Sequence, residues 1–228
     1  MSIELVVFDM AGTTVYDGDA VNRCLQEALV AAGAEVTRDE INGVMGLPKP
    51  VAIRDLLVSK SVVSASDVEF KIDAIFADFQ KRMIRHYETD PEVRPIAGAL
   101  DVFHSLNRHG VKVALDTGFS RTIVDTILQR FGWDKLDCIQ ATVASDEVAA
   151  GRPHADLIIR AMELTGVAES GKVAKVGDTP SDLYEGKAAG CSLVIGVTEG
   201  SHTREELAVH PHTHLIGTVA ELPELLFT

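Results

Sequence analysis

Leu5-Val6-Val7-Phe8-Asp9-Met10-Ala11-Gly12-Thr13-Thr14 carries the plan of the whole chain. Its apolar run reads as a buried strand over residues 3–8, and Gly12-Thr13-Thr14 reads as the turn that leaves it. An acid at the carboxyl end of a parallel strand stands at the edge where α/β proteins place their ligands. A carboxylate there serves as a nucleophile or a metal ligand. Ala11 leaves no proton donor beside Asp9, so whatever departs from the reaction centre must manage without one.

Outward from this strand, short apolar runs alternate with helical patterns from about Gly98 onward. Strands are expected at Val111–Leu115, Cys138–Val143, Val173–Val176 and Leu193–Val197, with a last short one from Leu215. Helices are expected at Ala99–His109, Arg121–Phe131, Ala155–Thr165 and Asp182–Ala189, with another at the end of the sequence. This alternation implies an α/β fold with a doubly wound, Rossmann-like parallel sheet. Residues 17–90 differ, because helical periodicity dominates there: Val21, Leu25, Ala28 and Leu29, then Ile53, Leu56 and Leu57, then Phe70 to Tyr87. They read as an inserted helical cap domain, with residues 1–16 and 91–228 forming the core domain. Tyr16–Asp19 and the stretch from Asp90 to Pro95 would be its hinges.

The formal charge of −13 argues against nucleic acid and anionic membranes as partners. No run reaches the roughly 18 apolar residues of a membrane span and no leader is apparent, so a cytoplasmic protein is expected. Cys24, Cys138 and Cys191 are too widely spaced for a CxxC metal or redox site and suit a reducing compartment.

Four pieces fall at successive strand ends. Asp9 is the first. Asp116-Thr117-Gly118 brings a hydroxyl and backbone donors, and Gly151-Arg152-Pro153 brings a fixed cation ahead of a helix. Gly177-Asp178-Thr179-Pro180-Ser181-Asp182 brings two carboxylates around a helix start. Singly, each has an ordinary reading: a helix cap for Thr179–Asp182, a turn for Thr117-Gly118, a solvated charge for Arg152. In this order, all at strand ends, they form a functional constellation. The Asp178-x-x-x-Asp182 pair combined with Asp9 suits a hard divalent cation held by few protein oxygens and a substrate phosphate.

This set resembles the haloacid dehalogenase superfamily, whose members combine an Asp strand end, a Thr or Ser, a Lys or Arg and a late acidic pair. The resemblance implies that Asp9 attacks phosphorus to form an aspartyl-phosphate. It also implies that Asp9, the Ala11 carbonyl and Asp178 hold Mg2+, while Thr117, Gly118 and Arg152 bind phosphoryl oxygens or orient Asp9. Asp182 would support the site. Within the superfamily, Asp-x-Ala-Gly-Thr-Thr, Ala150-Gly151-Arg152-Pro153 and Met45-Gly46-Leu47-Pro48-Lys49 are similar to the phosphonatase branch. That branch cleaves a carbon–phosphorus bond beside a carbonyl, as in phosphonoacetaldehyde, using a lysine Schiff base in its cap. The substrate expected is a small phosphonate contacted by Met45 and Lys49. The alternative is a phosphatase acting on a small phosphorylated metabolite, of the acyl phosphate or phosphoglycolate type; for Lys49 itself the other readings are an anchor for an anionic substrate and a solvated surface charge.

Ala11 and Lys49 explain each other. Expelling an alkoxide benefits from a general acid worth about 10²–10⁴-fold, which alanine cannot provide. A carbanion leaving beside a protonated imine needs none. With an ordinary pKa near ~10.4, only about one lysine amine in 2,500 is neutral at pH 7, so Lys49 needs burial or neighbouring positive charge. The branch pattern is broken at Ala52, Phe119 and Asp19, where it has a histidine, an aromatic hydroxyl and a cysteine; His86 or water is left to carry protons. The tract His210-Pro211-His212-Thr213-His214 and His154 read as surface features. Ile72, Ile75, Phe76 and Phe79 read as a packing face, part of which is left for a homodimer contact through the cap.

Overall fold

The computed structural model describes residues 2–16, 18–60 and 68–227. The strands are β1 (Leu5–Asp9), β2 (Val15–Tyr16), β3 (Arg94–Pro95), β4 (Lys112–Asp116), β5 (Ala141–Val143), β6 (Val173–Gly177), β7 (Leu193–Val197) and β8 (His214–Ile216). The α-helices are α1 (Ala20–Ala31), α2 (Arg38–Asn42), α3 (Lys49–Ser59), α4 (Val68–Thr89), α5 (Ala99–Arg108), α6 (Arg121–Phe131), α7 (Asp156–Thr165), α8 (Pro180–Ala189), α9 (Arg204–Ala208) and α10 (Leu222–Phe227).

Six strands form one parallel sheet in the order β5-β4-β1-β6-β7-β8. Every residue of β1 and β6 is buried, as expected of central strands covered by helices on both faces. The chain moves outward from β1 through β4 to β5, then crosses to β6 on the other side of β1. The direction of winding therefore reverses between β1 and β6, and the crevice beyond their carboxyl ends is where such sheets bind ligands. Asp9 ends β1 in register with Asp116 of β4, and Asp178 follows directly after β6.

The segment between β2 and β3 is helical, α1 to α4, as its periodicity predicts. Val21, Leu25, Ala28, Leu29, Ile53, Leu56 and Leu57 are buried, together with Ile72, Ile75 and Phe79 of α4. Within the chain α4 packs against α1, α6 and α3, and Phe76 of the same helix is half-buried. The two links to the insert are joined: Val15 pairs with Pro95 and Tyr16 with Arg94 in an antiparallel ribbon, with the Arg94 guanidinium 4.0 Å over the Tyr16 ring. Asp17, in the first link, lies outside the described residues. The insert docks through α4 on α6, where Gln80 Nε2 donates to Ser120 Oγ at 2.6 Å and Tyr87 meets Phe119 edge-on.

Several boundaries shift for local reasons. β1 runs on to Asp9 itself, and α8 begins at Pro180, where a proline at the first helical position follows a Thr179–Asp182 capping box. β5 is limited to Ala141–Val143 because side-chain amides serve the residues before it. Asn107 Nδ2 donates to the Cys138 carbonyl at 3.2 Å, and Gln140 Oε1 accepts from the Val113 N–H at 2.6 Å. No helix among the described residues is long and apolar enough to cross a membrane.

Candidate active site

At the carboxyl edge of the sheet, the strand ends bring Asp9, Thr117 and Arg152 to one cleft with about 340 Å³ of empty space. The cleft is closed from the other side by Val21, Met45, Gly46 and Lys49 of the insert. Lys49 opens α3 directly after Pro48 and is only 3% exposed, with Nζ donating to the Leu47 carbonyl at 3.3 Å. The loop before it lies flat on the core. Ser181 Oγ donates to the Met45 carbonyl at 3.3 Å, and a side chain on Gly118 would meet the Gly46 and Leu47 carbonyls at 3.1 Å. Thr117 and Gly118 leave β4 beneath this loop, Thr117 Oγ1 accepting the Phe119 N–H at 3.2 Å.

Below the cleft lies a buried charge network. Arg152 Nη1 donates to Asp9 Oδ1 at 2.6 Å and is 3.0 Å from Asp182 Oδ1. Its Nε donates to Glu185 Oε2 at 2.8 Å, and its Nη2 donates to the carboxylate of Asp116 and, at 3.2 Å, to the Asp116 carbonyl. Lys175, wholly buried on β6, donates to the same Asp116 oxygen and stands 3.0 Å from Glu185 and 3.3 Å from Asp182. Burial pushes the Glu185 carboxyl up to about 8, helped by Asp116 and opposed by Lys175 and Arg152. Burial pushes Asp182 the same way, but Arg152, Lys175 and the Thr179 hydroxyl outweigh it and hold Asp182 below its ordinary range. Burial penalises the Lys175 charge too, yet its three carboxylate neighbours keep it protonated.

Asp178 stands apart from those cations. Its Oδ1 accepts from Thr13 Oγ1 at 3.0 Å, and its Oδ2 accepts from Ser201 N–H and Oγ at 2.7 and 2.6 Å. Glycines make room for it: Gly12 (φ +88°) and Gly200 pass so close that any side chain there would strike the carboxylate. Burial raises Asp178 above the ordinary carboxylate value, and Asp182 adds to this. Asp9 is raised well above it, first by burial and then by Asp182 and Asp178, with Arg152 opposing.

The acids outnumber the cations: Arg152 and Lys175 stand among Asp9, Asp116, Asp182 and Glu185, and Asp178 is bonded to hydroxyl and backbone donors instead. Oxygens of Asp9, Asp178 and Asp182 lie within 4.8 Å of one another, close enough to share an ion. Asp182 faces the cations, with Oδ1 3.0 Å from Arg152 Nη1 and 3.3 Å from Lys175 Nζ, while its Oδ2 accepts from the Thr179 N–H and hydroxyl at 3.1 and 2.6 Å, so Asp182 belongs to the scaffold. Asp9 and Asp178, with Ala11 lining the same cleft, are the donors left for a hard cation, and excess negative charge on oxygen is what such an ion requires.

Every site residue expected from the sequence lies in this region, while several supporting residues depart from their local pattern. Arg152 is aimed at carboxylates on all sides rather than outward. Asp116, a turn residue by sequence, is an acceptor for both buried cations. Lys175, Glu185, Thr13 and Ser201 carry no local signal of their roles. His86, expected as a proton carrier, is outside the cleft on α4, with Nδ1 3.2 Å from Asp90 Oδ2 and 3.4 Å from Arg23 Nη2. Asp19 pairs with Arg38 at 2.6 Å, Ala52 is buried on α3, and His154 is exposed. His210 packs edge-on against Tyr184, away from the cleft.

A strand-end aspartate, an arginine and a late acidic pair on a doubly wound sheet define a haloacid dehalogenase-like hydrolase. That family matches residues 6–196, and the chain belongs to it. Among curated relatives, a phosphonoacetaldehyde hydrolase of Bacillus cereus is 34% identical over 226 residues, covering 91% of this chain and 81% of the relative. The phosphonoacetaldehyde hydrolase of Bordetella pertussis is 26% identical over 257 residues, covering 98% and 91%. In fold, a phosphonoacetaldehyde hydrolase-like protein from Oleispira antarctica matches with a TM-score of 0.82 at 22% identity, over 99% of this chain and 92% of that one. A predicted phosphoglycolate phosphatase from Haemophilus somnus matches with a TM-score of 0.78 at 16% identity, over 99% and 98%.

Proposed function

We propose that this hydrolase is a magnesium-dependent phosphonatase that cleaves the carbon–phosphorus bond of phosphonoacetaldehyde or a related carbonyl phosphonate. The observation that carries the reading is that a buried lysine amine, Lys49, and a buried carboxylate, Asp9, face one small cleft in which position 11 offers no acid. Two nucleophiles with no proton donor between them suit a leaving group that is stabilised covalently.

In this reading the Lys49 amine adds to the substrate carbonyl and water is lost, giving a protonated imine. An Asp9 oxygen attacks phosphorus. As the O–P bond forms the C–P bond breaks, and its electron pair passes into the imine to leave an enamine on Lys49. Protonation at carbon and hydrolysis return the carbonyl product and the lysine amine. Water then attacks the aspartyl-phosphate, releasing phosphate and restoring Asp9. Thr117 and the Gly118 backbone receive phosphoryl oxygens, Met45 bounds the carbon side of the cleft, and Arg152 holds the Asp9 oxygen it already bonds. Asp9, the Ala11 carbonyl and Asp178 would hold magnesium, which when bound supplies positive charge against the phosphoryl oxygens. The helical insert, residues 17–90, acts as a cap that excludes water while the imine persists.

Borohydride reduction during turnover of phosphonoacetaldehyde, followed by peptide mapping, tests the imine. A reduced adduct on Lys49 is the expected result, and turnover without one would sink the mechanism. Ala52 and a cleft lining without histidine among the described residues favour a second reading, a phosphatase for an acyl phosphate whose leaving group needs no acid. Lys49→Ala separates the two: it abolishes phosphonate cleavage in the first and leaves acetyl phosphate hydrolysis near the wild-type rate in the second.

A further inference from the structure

The donors of Arg152 are almost fully committed before any substrate arrives. A guanidinium has five N–H groups in one plane. Its hydrogen bonds go to Glu185, Asp9, the Asp116 carboxylate and the Asp116 carbonyl, and Asp182 Oδ1 stands 3.0 Å from Nη1. Only one of these contacts is to the proposed nucleophile; the rest fix where the guanidinium lies. Arg152 is 2% exposed, and Asp116, Asp182, Glu185 and Lys175 show no exposure at all.

Asp116 is the centre of this arrangement. It ends β4 opposite Asp9, it takes both Arg152 Nη2 bonds, and its Oδ1 is shared with Lys175 from β6 on the far side of β1. Its second oxygen, Oδ2, is buried and finds no hydrogen-bond partner among the described residues, so the carboxylate is held by the cations alone. We infer that Asp116 is a positioning residue: anchored by Lys175, it sets the plane of Arg152 so that Nη1 holds Asp9 in its attacking orientation, and Arg152 serves the nucleophile rather than the phosphoryl oxygens. This rests on the reading of Asp9 as the nucleophile. Nothing local in Asp116-Thr117-Gly118 announces it, because the role depends on three strands being side by side.

Asp116→Asn keeps the shape and removes the charge, which frees Arg152 Nη2 and leaves Lys175 short of a partner. With phosphonoacetaldehyde and with acetyl phosphate, kcat should fall by about 100-fold, the usual consequence of misplacing a reacting group by about 1 Å. KM should change less than threefold, since the phosphoryl-binding groups are untouched. A purely structural role is separated by the double variant Asp116→Asn with Lys175→Met, in which the unmatched cation is gone too. The double variant should recover the thermal stability lost by Asp116→Asn while kcat stays low. Recovery of kcat along with stability would show that Asp116 merely neutralises Lys175, and would overturn the inference. Asp116→Asn alone keeping kcat within twofold would overturn it equally. A wild-type protein inert toward both substrates would count against the proposed function instead, and a crystal structure of Asp116→Asn then decides this point separately. Arg152 displaced from Asp9 supports positioning by Asp116; Arg152 unmoved refutes it.

Discussion

Gly46 of the insert lies tightly against Thr179 and Ser181 of the core, and replacing it with alanine tests whether that contact delivers Lys49. Gly46 has φ +80°, a conformation that disfavours any side chain by about 1–2 kcal/mol. An added methyl would also collide with Thr179 Oγ1 and come within 2.9 Å of Ser181 Cβ. Neither neighbour yields easily. Thr179 Oγ1 accepts the Asp182 N–H at 3.3 Å and donates to Asp182 Oδ2 at 2.6 Å, so moving it opens the cap of α8. Overpacking of this kind costs about 1–3 kcal/mol. Together the docked loop loses about 2–5 kcal/mol, which at 1.4 kcal/mol per tenfold is a fall in kcat/KM of about 30-fold to a few thousand-fold. Gly33 supplies the control, since it has φ +84° but nothing within 4 Å of an added methyl. Gly33→Ala should lower thermal stability by about 1–2 kcal/mol and leave kcat/KM unchanged. Steady-state kinetics beside thermal denaturation reads both variants. If Gly46→Ala behaved like Gly33→Ala, with kcat/KM within threefold of wild type, the docked loop would not be what places Lys49 in the cleft.

Three further outcomes are expected. Ala11→Asp puts a proton donor beside Asp9, and hydrolysis of simple alkyl phosphate esters should rise by about 10²–10⁴-fold while cleavage of the phosphonate does not; no gain on esters would refute the account of Ala11. Asp178→Asn should weaken magnesium binding, read by calorimetry and by the magnesium concentration needed for half-maximal rate, and chelation of the metal should abolish turnover of wild type. The third concerns pH. Glu185 has its folded pKa raised to about 8, so between the ordinary carboxyl value near ~4.3 and about 8 the folded state binds a proton that the unfolded state has lost. Its contribution to stability is therefore present at low pH and lost as pH rises through that window, ending above about 8. Glu185→Gln mimics the protonated form and should flatten the decline of Tm between about pH 5 and 8; a parallel decline in both proteins would contradict it.

Much of this protein is legible from local pattern. β1, β6 and β7 read correctly because central parallel strands are continuous apolar runs, and α6 spans the expected Arg121–Phe131, between Ser120 and Gly132. Asp9, Thr117, Arg152 and Asp178 are legible because strand ends are where backbone order, turn residues and chemistry coincide. The ribbon joining Tyr16 to Arg94 is not, since two residues from each link are too few to show periodicity. Neither is the shortened β5, where the Asn107 and Gln140 side chains take over backbone groups.

The sheet, the helical insert and the order of the reactive groups are all written in neighbouring residues, so the sequence alone suffices for them. How those groups are charged and aimed depends instead on contacts between distant parts of the chain. Lys175 follows Val173-Ala174 and precedes Val176, and reads as an ordinary strand residue until β6 is set beside β1 and α8 packs on β6. Its burial then forces a pairing with Asp116, 59 positions away, and through Asp116 with Arg152 and Asp9. A charge cannot remain unmatched where water is excluded, and which partner satisfies it is fixed by the register of strands distant in the chain.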